Sequence, residues 1–541
     1  MRMKIVLFAL NSSYSHTNLA VRCIRRSLAD AGFSARIIEF SLKDRRGEIL
    51  GALVGAEADI YGFSAYIWNI RELLAYASDL KKLKPTARIV FGGPEVSYNA
   101  PELLRAHSFI DNIITGEGEA AFVGLAEAHL RGGEPPAIID GGIFEGFAGA
   151  GMLYEPDELG GERRMLYYES SRGCPYRCAY CLSALSGRVR AKSAERTLSE
   201  LAGFEALSAD IKVIKFVDRT FNFDIGRAKE IWRGLRSDRY TKRYHFEICA
   251  ELLDEESFAL LESFPKDKIQ LEIGVQSTNP DTLVRISRRT DTDKLLAAIE
   301  RLHSFGNMHI HADLIAGLPG EDFESFGRSF DALIGRCDML QLGFLKLLHG
   351  SGLRERADEF GCIYSDEPPY TVLATDCLSF SELELLHDID ELCERYVNSG
   401  AFRRTITLAL GLTDSPFRML AGLAEDFRES GLRITGLSQP RAFTELYDRL
   451  GNMIPAEKLA TALTLDFLTG QKTSPPAFGD FALERFDNAE RKHDFMRYAD
   501  ENGIGYFAPA LELRRGGGRE FILDRKNGLA FERLGGGYEI R

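Results

Sequence analysis

Cys174, Cys178 and Cys181 follow one another with the spacing C-x3-C-x2-C. Three thiolates on one short loop can hold one corner of a metal centre. A structural zinc site needs a fourth ligand nearby, and no further Cys or His occurs before His245. Three protein ligands with one open position suit a [4Fe–4S] cluster whose fourth iron takes an exogenous ligand. The spacing favours such a cluster over zinc, and over three cysteines that are buried together by chance.

The remaining cysteines are scattered singly and are expected to be small buried hydrophobic residues. They are Cys23, Cys249, Cys337, Cys362, Cys377 and Cys393. Nine cysteines in 541 residues is far below the density of a disulfide scaffold, and the number is odd. The N-terminus reads straight into a strand without a secretory signal pattern. We therefore expect a reducing, cytoplasmic environment.

The composition is that of an ordinary soluble globular protein, with 45% hydrophobic and 27% charged residues. The length predicts about three domains. No apolar run reaches the length of a membrane span, so no membrane association is expected. The net charge of −13 argues against a protein that wraps nucleic acid.

Short apolar strands alternate with helical patterns over residues 1–135. The predicted strands are Lys4–Leu10, Ala35–Phe40, Asp59–Ala65, Ala87–Phe91 and Asn112–Thr115. This order predicts βαβ units and an α/β fold with a doubly wound parallel sheet. A ligand of such a sheet lies beyond the carboxyl ends of its strands. Small residues at those ends would let a large ligand approach the backbone, although any α/β fold also needs turn glycines; they are Ser64, Gly92, Gly93 and Gly116.

A second alternation of strands and helices covers residues 165–350. Its six predicted strands are Met165–Glu169, Val213–Val217, His245–Ala250, Ile269–Val275, His309–Ile315 and Leu340–Leu348. Six successive βα units predict an incomplete, TIM-like (βα)6 barrel, with its chemistry at the carboxyl ends of the strands. The three clustered cysteines come directly after the first of these strands.

Two further regions complete the chain. Residues 136–164 are rich in Gly, Pro and Glu and are predicted to be a linker, in which a small strand pair could form. Residues 351–541 are predicted to form a mostly helical domain, with short strands over Phe521–Arg541. No catalytic motif is evident in that domain.

The cysteine spacing, with an aromatic residue before the last cysteine and a position after the first barrel strand, resembles the radical S-adenosylmethionine (SAM) superfamily. The resemblance implies that the open iron binds the amino and carboxylate groups of SAM. One electron from the reduced cluster would then cleave the sulfonium and release a 5′-deoxyadenosyl radical. The barrel would hold the cofactors and exclude water.

Two later segments extend the resemblance to the coproporphyrinogen dehydrogenase-like branch. Ile269–Ser277 resembles its fourth-strand segment and Asp313–Glu321 its fifth-strand segment. The roles that the resemblance implies fall on six residues: Gln276 and Glu247 at the SAM ribose, Arg288 and Asp313 at its methionine end, Tyr180 near adenine, and Asp218 at its amino group. Each of these residues could instead be part of a solvated rim.

A flavodoxin-like (Rossmann-type) domain ahead of a radical SAM barrel resembles the cobalamin-binding branch of the superfamily. One bacterial subfamily of that branch also carries an uncharacterised C-terminal domain. The nucleotide tail of cobalamin would enter the crevice lined by Ser64, Gly92, Gly93 and Gly116. The cobalamin motif D-x-H-x-x-G is not intact, because Tyr14 and Leu19 replace its Asp and Gly around His16. We therefore expect His16 to be a loop residue rather than the lower cobalt ligand.

The resemblance leaves three functions open. The first is methyl transfer to an unactivated carbon or phosphorus, with cobalamin carrying the methyl group. The second is radical chemistry without methyl transfer, such as rearrangement or oxidative decarboxylation, and the third is a non-catalytic cobalamin- or cluster-binding sensor. The complete motif favours an enzyme. A methylthiotransferase would need three more cysteines in the N-terminal domain, where only Cys23 lies.

The same resemblance implies two kinds of partner. One is a small-molecule substrate, and the other is an electron donor such as flavodoxin or ferredoxin. A nucleic-acid partner is not expected.

Overall fold

A computed structural model describes residues 3–149, 153–155, 158, 165–185, 187–207, 210–471, 476, 478, 484–485, 489–501, 511–514, 520–524, 529–534 and 537–540. The chain divides into two compact units. The first comprises Met1–Ser329, Gly335–Asp338 and Leu342–Phe380, and the second comprises Phe330–Ile334, Met339–Gln341 and Ser381–Arg541.

The N-terminal part of the first unit is a six-stranded parallel sheet in the order β2-β1-β3-β4-β5-β6. Its strands are β1 (Ile5–Asn11), β2 (Ala35–Ser41), β3 (Ile60–Ser64), β4 (Arg88–Gly92), β5 (Asn112–Thr115) and β6 (Ile138–Asp140). Its helices are α1 (Leu19–Asp30), α2 (Arg46–Gly55), α3 (Ile70–Leu83), α4 (Pro94–Ser97), α5 (Ala100–Ala106) and α6 (Gly118–Leu130). The predicted doubly wound sheet is confirmed.

The central strands are buried on both faces, which explains their continuous apolar sequences. On one face Phe63 and Phe91 stack with their ring centroids 5.0 Å apart. On the other face Leu7 belongs to a separate apolar cluster that includes Phe122 of α6. Full burial of such a side chain contributes about 1.5–3 kcal/mol relative to exposure. The two apolar layers hold the strand ends at one edge of the sheet.

Part of the predicted linker is a strand. Ile138–Asp140 forms β6, and Ile138 pairs with Ile113 of β5. Farther along the same segment, Tyr154 is buried and its hydroxyl lies 3.0 Å from that of Thr17. This segment therefore extends the N-terminal sheet at its edge.

The predicted incomplete barrel is confirmed as a six-stranded sheet in the order β14-β13-β12-β11-β10-β7. The strands of this region are β7 (Met165–Tyr168), β8 (Ser171–Arg172), β9 (Arg190–Ala191), β10 (Val213–Phe216), β11 (Arg243–Ile248), β12 (Ile269–Gln276), β13 (His309–Ala316) and β14 (Met339–Phe344). The helices are α7 (Ala194–Leu207), α8 (Ile225–Leu235), α9 (Glu255–Glu262), α10 (Pro280–Arg285), α11 (Thr292–Ser304) and α12 (Phe323–Leu333). The short antiparallel pair of β8 and β9 brackets the cysteine loop.

The strands of the barrel alternate strictly between two environments. In β12, Ile269, Leu271, Ile273 and Val275 are buried, whereas Gln270, Glu272, Gly274 and Gln276 are half-buried. The apolar side chains of β12 therefore form the layer beneath the helices, and its polar side chains face the inside of the barrel.

The rest of the first unit holds α13 (Gly352–Glu355), β15 (Ile363–Tyr364) and β16 (Val372–Ala374). The mostly helical C-terminal region is confirmed, with α14 (Phe380–Leu392), α15 (Arg403–Leu410), α16 (Pro416–Glu429), α17 (Gln439–Leu450), α18 (Ala456–Gly470) and α19 (Ala489–Glu501). It also contains an antiparallel sheet of β17 (Glu484–Arg485), β18 (Leu511–Arg514), β19 (Glu520–Asp524), β20 (Leu529–Leu534) and β21 (Gly537–Ile540). Within the described ranges, no helix combines the length and the apolar character that crossing a bilayer requires.

Candidate cofactor site

Two cavities of the first unit lie at the carboxyl ends of its two sheets. The sheet-end cavity has a volume of about 880 Å³ and is lined by Asn11 of β1, Ser64 of β3, Gly92 of β4 and Gly116 after β5, among others. The barrel cavity has a volume of about 220 Å³ and is lined by Thr220 after β10, Cys249 after β11, Gln276 of β12 and Asp313 of β13, among others. The two α/β folds thus place their strand ends at cavities, as predicted.

The three clustered cysteines all line the barrel cavity. Their loop is held in place by backbone hydrogen bonds, from Ala179 N to Ile286 O at 2.9 Å and from Cys181 N to Cys178 O at 3.0 Å. Around the thiols, Cys174 Sγ lies 3.7 Å from Thr220 Oγ1. The loop is therefore fixed to the barrel while its sulfurs face the cavity.

The donor set of this loop fits an iron–sulfur cluster. Three thiols without an adjacent carboxylate or imidazole on the same loop are the protein ligands that a [4Fe–4S] cluster with one open iron requires. In the described part of the chain, no three Cys, His, Asp or Glu side chains are grouped as they would be around a single metal ion.

A fourth cysteine lines the same cavity. Cys249 follows β11, and the hydroxyl of Tyr176 donates to its sulfur at 3.2 Å. Burial raises the pKa of Cys249 to about 11. Nothing in the local sequence marks this residue, because it stands alone in a strand end 68 positions after Cys181. Only the closure of the barrel brings it to the cluster loop.

Five residues predicted to contact SAM also line the barrel cavity: Tyr180, Glu247, Gln276, Arg288 and Asp313. The guanidinium of Arg288 donates to the carbonyl of Gly274 and lies 3.5 Å from the Tyr180 hydroxyl. Its Nε has no hydrogen-bond partner within the described structure.

Asp313 is the most perturbed carboxyl group of the barrel cavity. Burial, followed by the negative charges of Glu272 and Glu247, raises the pKa of Asp313 to about 8. Its Oδ1 is buried and has no hydrogen-bond partner among the described residues. Such a group is costly unless a ligand satisfies it. The wall formed by Asp313 and Arg288 therefore fits a ligand that carries both an ammonium and a carboxylate.

The neighbouring Glu272 behaves in the opposite way. Burial opposes ionisation, but the hydrogen bond from His245 and the charge of Lys215 lower the pKa of Glu272 to about 2. The His245 Nε2 and Lys215 Nζ atoms lie 2.8 and 3.1 Å from its Oε2. The charged Glu272 helps to keep Asp313 protonated.

Asp218 differs from its predicted role. It is fully buried, and the residues of the barrel cavity do not include it. Its Oδ1 accepts from Ser170 N at 2.8 Å, and its Oδ2 accepts from the hydroxyls of Ser170 at 2.5 Å and Ser171 at 2.7 Å. These bonds hold the end of β10 to the segment before the cysteine loop. Arg219 and Thr220, the next two residues, face the cavity instead.

All four small residues predicted to line a ligand crevice line the sheet-end cavity: Ser64, Gly92, Gly93 and Gly116. Gly93 has φ +116°, and a Cβ there would lie 2.4 Å from Ala65 O. Gly92 has an ordinary conformation, and a Cβ there would meet Ile114 O at 3.6 Å and Ile114 Cβ at 4.0 Å, which are ordinary contacts. The Ser64 hydroxyl accepts from Asn18 Nδ2 at 3.1 Å. Because the glycines expose the backbone at the strand ends, the cavity is wide enough for a bulky cofactor to approach the sheet.

His16 also lines the sheet-end cavity, but its ring is engaged. Its Nδ1 is hydrogen-bonded to the hydroxyl of Tyr167. Burial, and then the charge of Lys215, lower the pKa of His16. This contact gives His16 a structural partner in the barrel.

A charged cluster that the sequence did not reveal borders the sheet-end cavity. Arg172 pairs with Glu117 at 2.9 Å and with Glu119 and Glu169 at 2.8 Å. Arg190 of β9 also pairs with Glu117. All of these side chains are at most 17% exposed. The cluster joins both strands that bracket the cysteine loop to the N-terminal domain.

Three family models match the chain. Residues 5–126 match the B12 binding domain, and residues 168–333 match the radical SAM superfamily. Residues 358–506 match a protein family of unknown function, DUF4080.

Curated relatives are distant. The cobalamin-dependent radical SAM methyltransferase TokK of Streptomyces tokunonensis is 25% identical over 351 residues, which are 56% of this chain and 50% of TokK. The hopanoid C-3 methylase of Methylococcus capsulatus is 26% identical over 332 residues, which are 57% of this chain and 62% of the methylase. The chain thus spans about half to three fifths of the length of these relatives.

Solved structures share the fold. The cobalamin-dependent SAM radical enzyme OxsB, with aqua-cobalamin and SAM bound, superposes with a TM-score of 0.60 at 15% identity over 87% of this chain and 82% of OxsB. The radical SAM methyltransferase TsrM of Kitasatospora setae, with cobalamin and a [4Fe–4S] cluster bound, gives a TM-score of 0.57 at 17% identity over 80% of this chain and all of TsrM. The chain thus combines a region that matches the B12 binding domain with a later region that matches the radical SAM superfamily, whose cysteine loop follows the first barrel strand, and it shares its fold with these solved structures.

Proposed function

We propose that the protein is a cobalamin-dependent radical SAM enzyme that methylates an unactivated centre of a small molecule. The observation that carries the proposal is the position of the cysteine loop between the two cavities. Gly173 and Leu182 line the sheet-end cavity, whereas Cys174 and Cys181 line the barrel cavity. Cofactors held in the two cavities would therefore lie on either side of one loop.

The barrel cavity would hold the cluster and SAM. Cys174, Cys178 and Cys181 would ligate the cluster, which when bound supplies the electron that cleaves SAM to a 5′-deoxyadenosyl radical. Arg288 would bind the carboxylate of SAM. An ammonium group against Asp313 favours the charged carboxylate, so the proton that Asp313 holds would leave when SAM binds.

The rest of the barrel cavity would fix the nucleoside of SAM. Glu247 and Gln276 would accept and donate hydrogen bonds at the ribose, and the half-buried ring of Tyr180 would lie beside adenine. Orientation of a reacting group by several fixed contacts lowers the entropic part of a barrier.

The sheet-end cavity would hold cobalamin, which when bound carries the methyl group. Gly92, Gly93 and Gly116 leave room for the ligand to approach the backbone. Ser64, held by Asn18, offers a fixed hydroxyl at the same edge. Its volume of about 880 Å³ is four times that of the barrel cavity.

Methyl transfer is favoured over other radical chemistry by the descriptions of the relatives TokK, hopanoid C-3 methylase and TsrM. The second candidate is radical chemistry without methyl transfer, because OxsB is described only as a radical enzyme. In both cases a small molecule would be the substrate, and a flavodoxin or ferredoxin would donate the electron.

Anaerobic purification with iron, sulfide and cobalt measured together tests the proposal. We expect about four irons, four sulfides and one cobalt per chain. The triple variant C174A/C178A/C181A should lose iron and SAM cleavage, whereas Cys249→Ala, in the same cavity, should keep four irons. Stoichiometric zinc without sulfide would reject the cluster.

Product analysis separates the two candidates. With a reductant and SAM, both yield 5′-deoxyadenosine, but only methyl transfer also yields S-adenosylhomocysteine. Formation of 5′-deoxyadenosine alone, by a cobalamin-loaded protein, would favour the second candidate.

A further inference from the structure

Arg219 lies between the sheet-end cavity and the barrel cavity. Of the described residues that line either cavity, it is the one that lines both. It directly follows Asp218, whose carboxylate is fixed by Ser170 and Ser171. On its other side, the hydroxyl of Thr220 donates to the Arg219 carbonyl at 2.8 Å. The backbone that carries Arg219 is thus held on both sides.

The guanidinium of Arg219 is without a partner in the described structure. Neither a hydrogen bond nor an ion pair engages it, and the residue is exposed. Two other arginines that line these cavities are engaged: Arg172 pairs with three carboxylates, and Arg288 donates to Gly274. Arg289 is exposed like Arg219, but it lines only the barrel cavity. An arginine is charged at every physiological pH and offers five donors in a planar fork. That fork matches a carboxylate or a phosphate.

Electrostatics place the charge of Arg219 within reach of both cavities. Burial raises the pKa of Glu247 in the barrel cavity, and Arg219 opposes that rise. Burial likewise raises the pKa of Tyr66 in the sheet-end cavity, and Arg219 again opposes it. The free cation therefore lies between the walls where the two cofactors would be held.

We infer that Arg219 binds an oxyanion of the substrate, a carboxylate or a phosphate, and so selects an anionic small molecule. This inference rests on the proposed function, because a molecule that reacts with both cofactors must lie where their cavities meet. The carboxylate of SAM is the competing ligand. Arg288 is better placed for it, because it lines only the barrel cavity, beside Tyr180 and Cys178.

Equilibrium dialysis tests the inference. The reconstituted protein, saturated with SAM, is dialysed against radiolabelled inorganic phosphate and, separately, radiolabelled acetate. We expect Arg219→Gln to weaken the binding of at least one probe by about ten- to a hundredfold, as loss of a charge-assisted hydrogen bond predicts. Arg219→Lys should retain part of the affinity. The matched control is Arg289→Gln, which removes an exposed arginine that lines only the barrel cavity.

Three outcomes would overturn the inference. They are no measurable binding of either probe by the wild type, equal binding by Arg219→Gln, and a loss of SAM affinity in Arg219→Gln with probe binding unchanged. The last outcome would assign Arg219 to the carboxylate of SAM. Cobalt and iron contents are measured on the same samples. A wild type that lacks either metal would contradict the proposed function, whereas the three outcomes above concern Arg219 in a protein that contains both.

Discussion

Arg172, two residues ahead of the first cluster cysteine, donates at 2.8 Å to the carboxylate of Glu119 in the N-terminal domain. The same guanidinium also reaches Glu117 and Glu169. One largely buried cation thus offsets part of the charge of three carboxylates and ties the cysteine loop to the wall of the sheet-end cavity.

Arg172→Gln should destabilise the first unit strongly. Removal of the cation takes away the ion-pair partner of the largely buried Glu119 and Glu169, which costs about 3–5 kcal/mol. The shift of the urea unfolding midpoint measures this, and iron retention should fall with it. The matched control is Arg188→Gln. Arg188 and its partner Glu145 are 70% and 65% exposed, so that change should cost about 0–1 kcal/mol. Equal effects of the two changes would show that the buried cluster is not a structural link.

Gly92→Leu should abolish cobalamin binding while the protein keeps its iron and its fold. A Cβ at Gly92 would make ordinary contacts with Ile114 O at 3.6 Å and Ile114 Cβ at 4.0 Å, so we expect the backbone to tolerate it and the leucine side chain to occupy part of the sheet-end cavity that Gly92 lines. Cobalt content, iron content and circular dichroism measure the outcome. Gly51→Leu in α2, where the added Cβ would meet open space, is the matched control. Unchanged cobalt binding in Gly92→Leu would exclude this crevice as the cobalamin site.

Gly93, another of the four small residues that line the cavity, is unsuitable for the same test. Its φ of +116° and the approach of Ala65 O to 2.4 Å make any side chain there a disruption of the backbone. Gly93→Leu would therefore report on folding as well as on the ligand.

Asp313→Asn should weaken SAM binding by about ten- to a hundredfold, because a charge-assisted hydrogen bond contributes about 1.5–3 kcal/mol. The cluster should stay intact, since the thiols are unchanged. Equilibrium dialysis with labelled SAM measures the affinity, and Asp293→Asn, on the exposed side of α11, is the control. An unchanged SAM affinity would assign Asp313 a purely structural role.

The same substitution should change how stability depends on pH. Folding raises the pKa of Asp313 from 3.8 to about 8, so between these values the folded state binds a proton that the unfolded state releases. The contribution of Asp313 to the stability of the SAM-free protein therefore falls as pH rises from about 4 to 8. Asp313→Asn removes this term, so its melting temperature should match the wild type near pH 4 and exceed it by a few degrees near pH 8. Parallel curves for the two proteins would contradict the raised pKa.

The strands and the cluster loop could be predicted from sequence because their signals are local. A parallel strand is a continuous apolar run, and Asn112–Thr115 is found at its predicted bounds. The cysteine spacing is complete within eight residues. By contrast, Arg172 and Glu119 are 53 positions apart, and Cys249 reaches the cluster loop only through barrel closure. Such contacts leave no periodicity in the sequence.

Side-chain direction at a strand end was also beyond prediction. Asp218 and Arg219 are adjacent, and either could have faced the barrel cavity. The hydroxyls of Ser170 and Ser171 hydrogen-bond to the Asp218 carboxylate and hold it in the protein interior. The next residue, Arg219, therefore lines the cavities. The orientation of the Asp218 side chain thus depends on residues that are 48 and 47 positions away in the sequence.

His16→Ala should leave cobalamin binding close to that of the wild type. The Asp and Gly that normally flank a cobalt-binding histidine are absent, and Nδ1 of His16 is occupied by the Tyr167 hydroxyl. The ring is thus held against the barrel as a structural contact. The Co(II) electron paramagnetic resonance spectrum should lack nitrogen superhyperfine splitting in the wild type, in His16→Ala and in the control Tyr167→Phe, which frees Nδ1 without removing the imidazole. Nitrogen splitting that is present in the wild type and disappears in His16→Ala would instead identify His16 as the lower cobalt ligand.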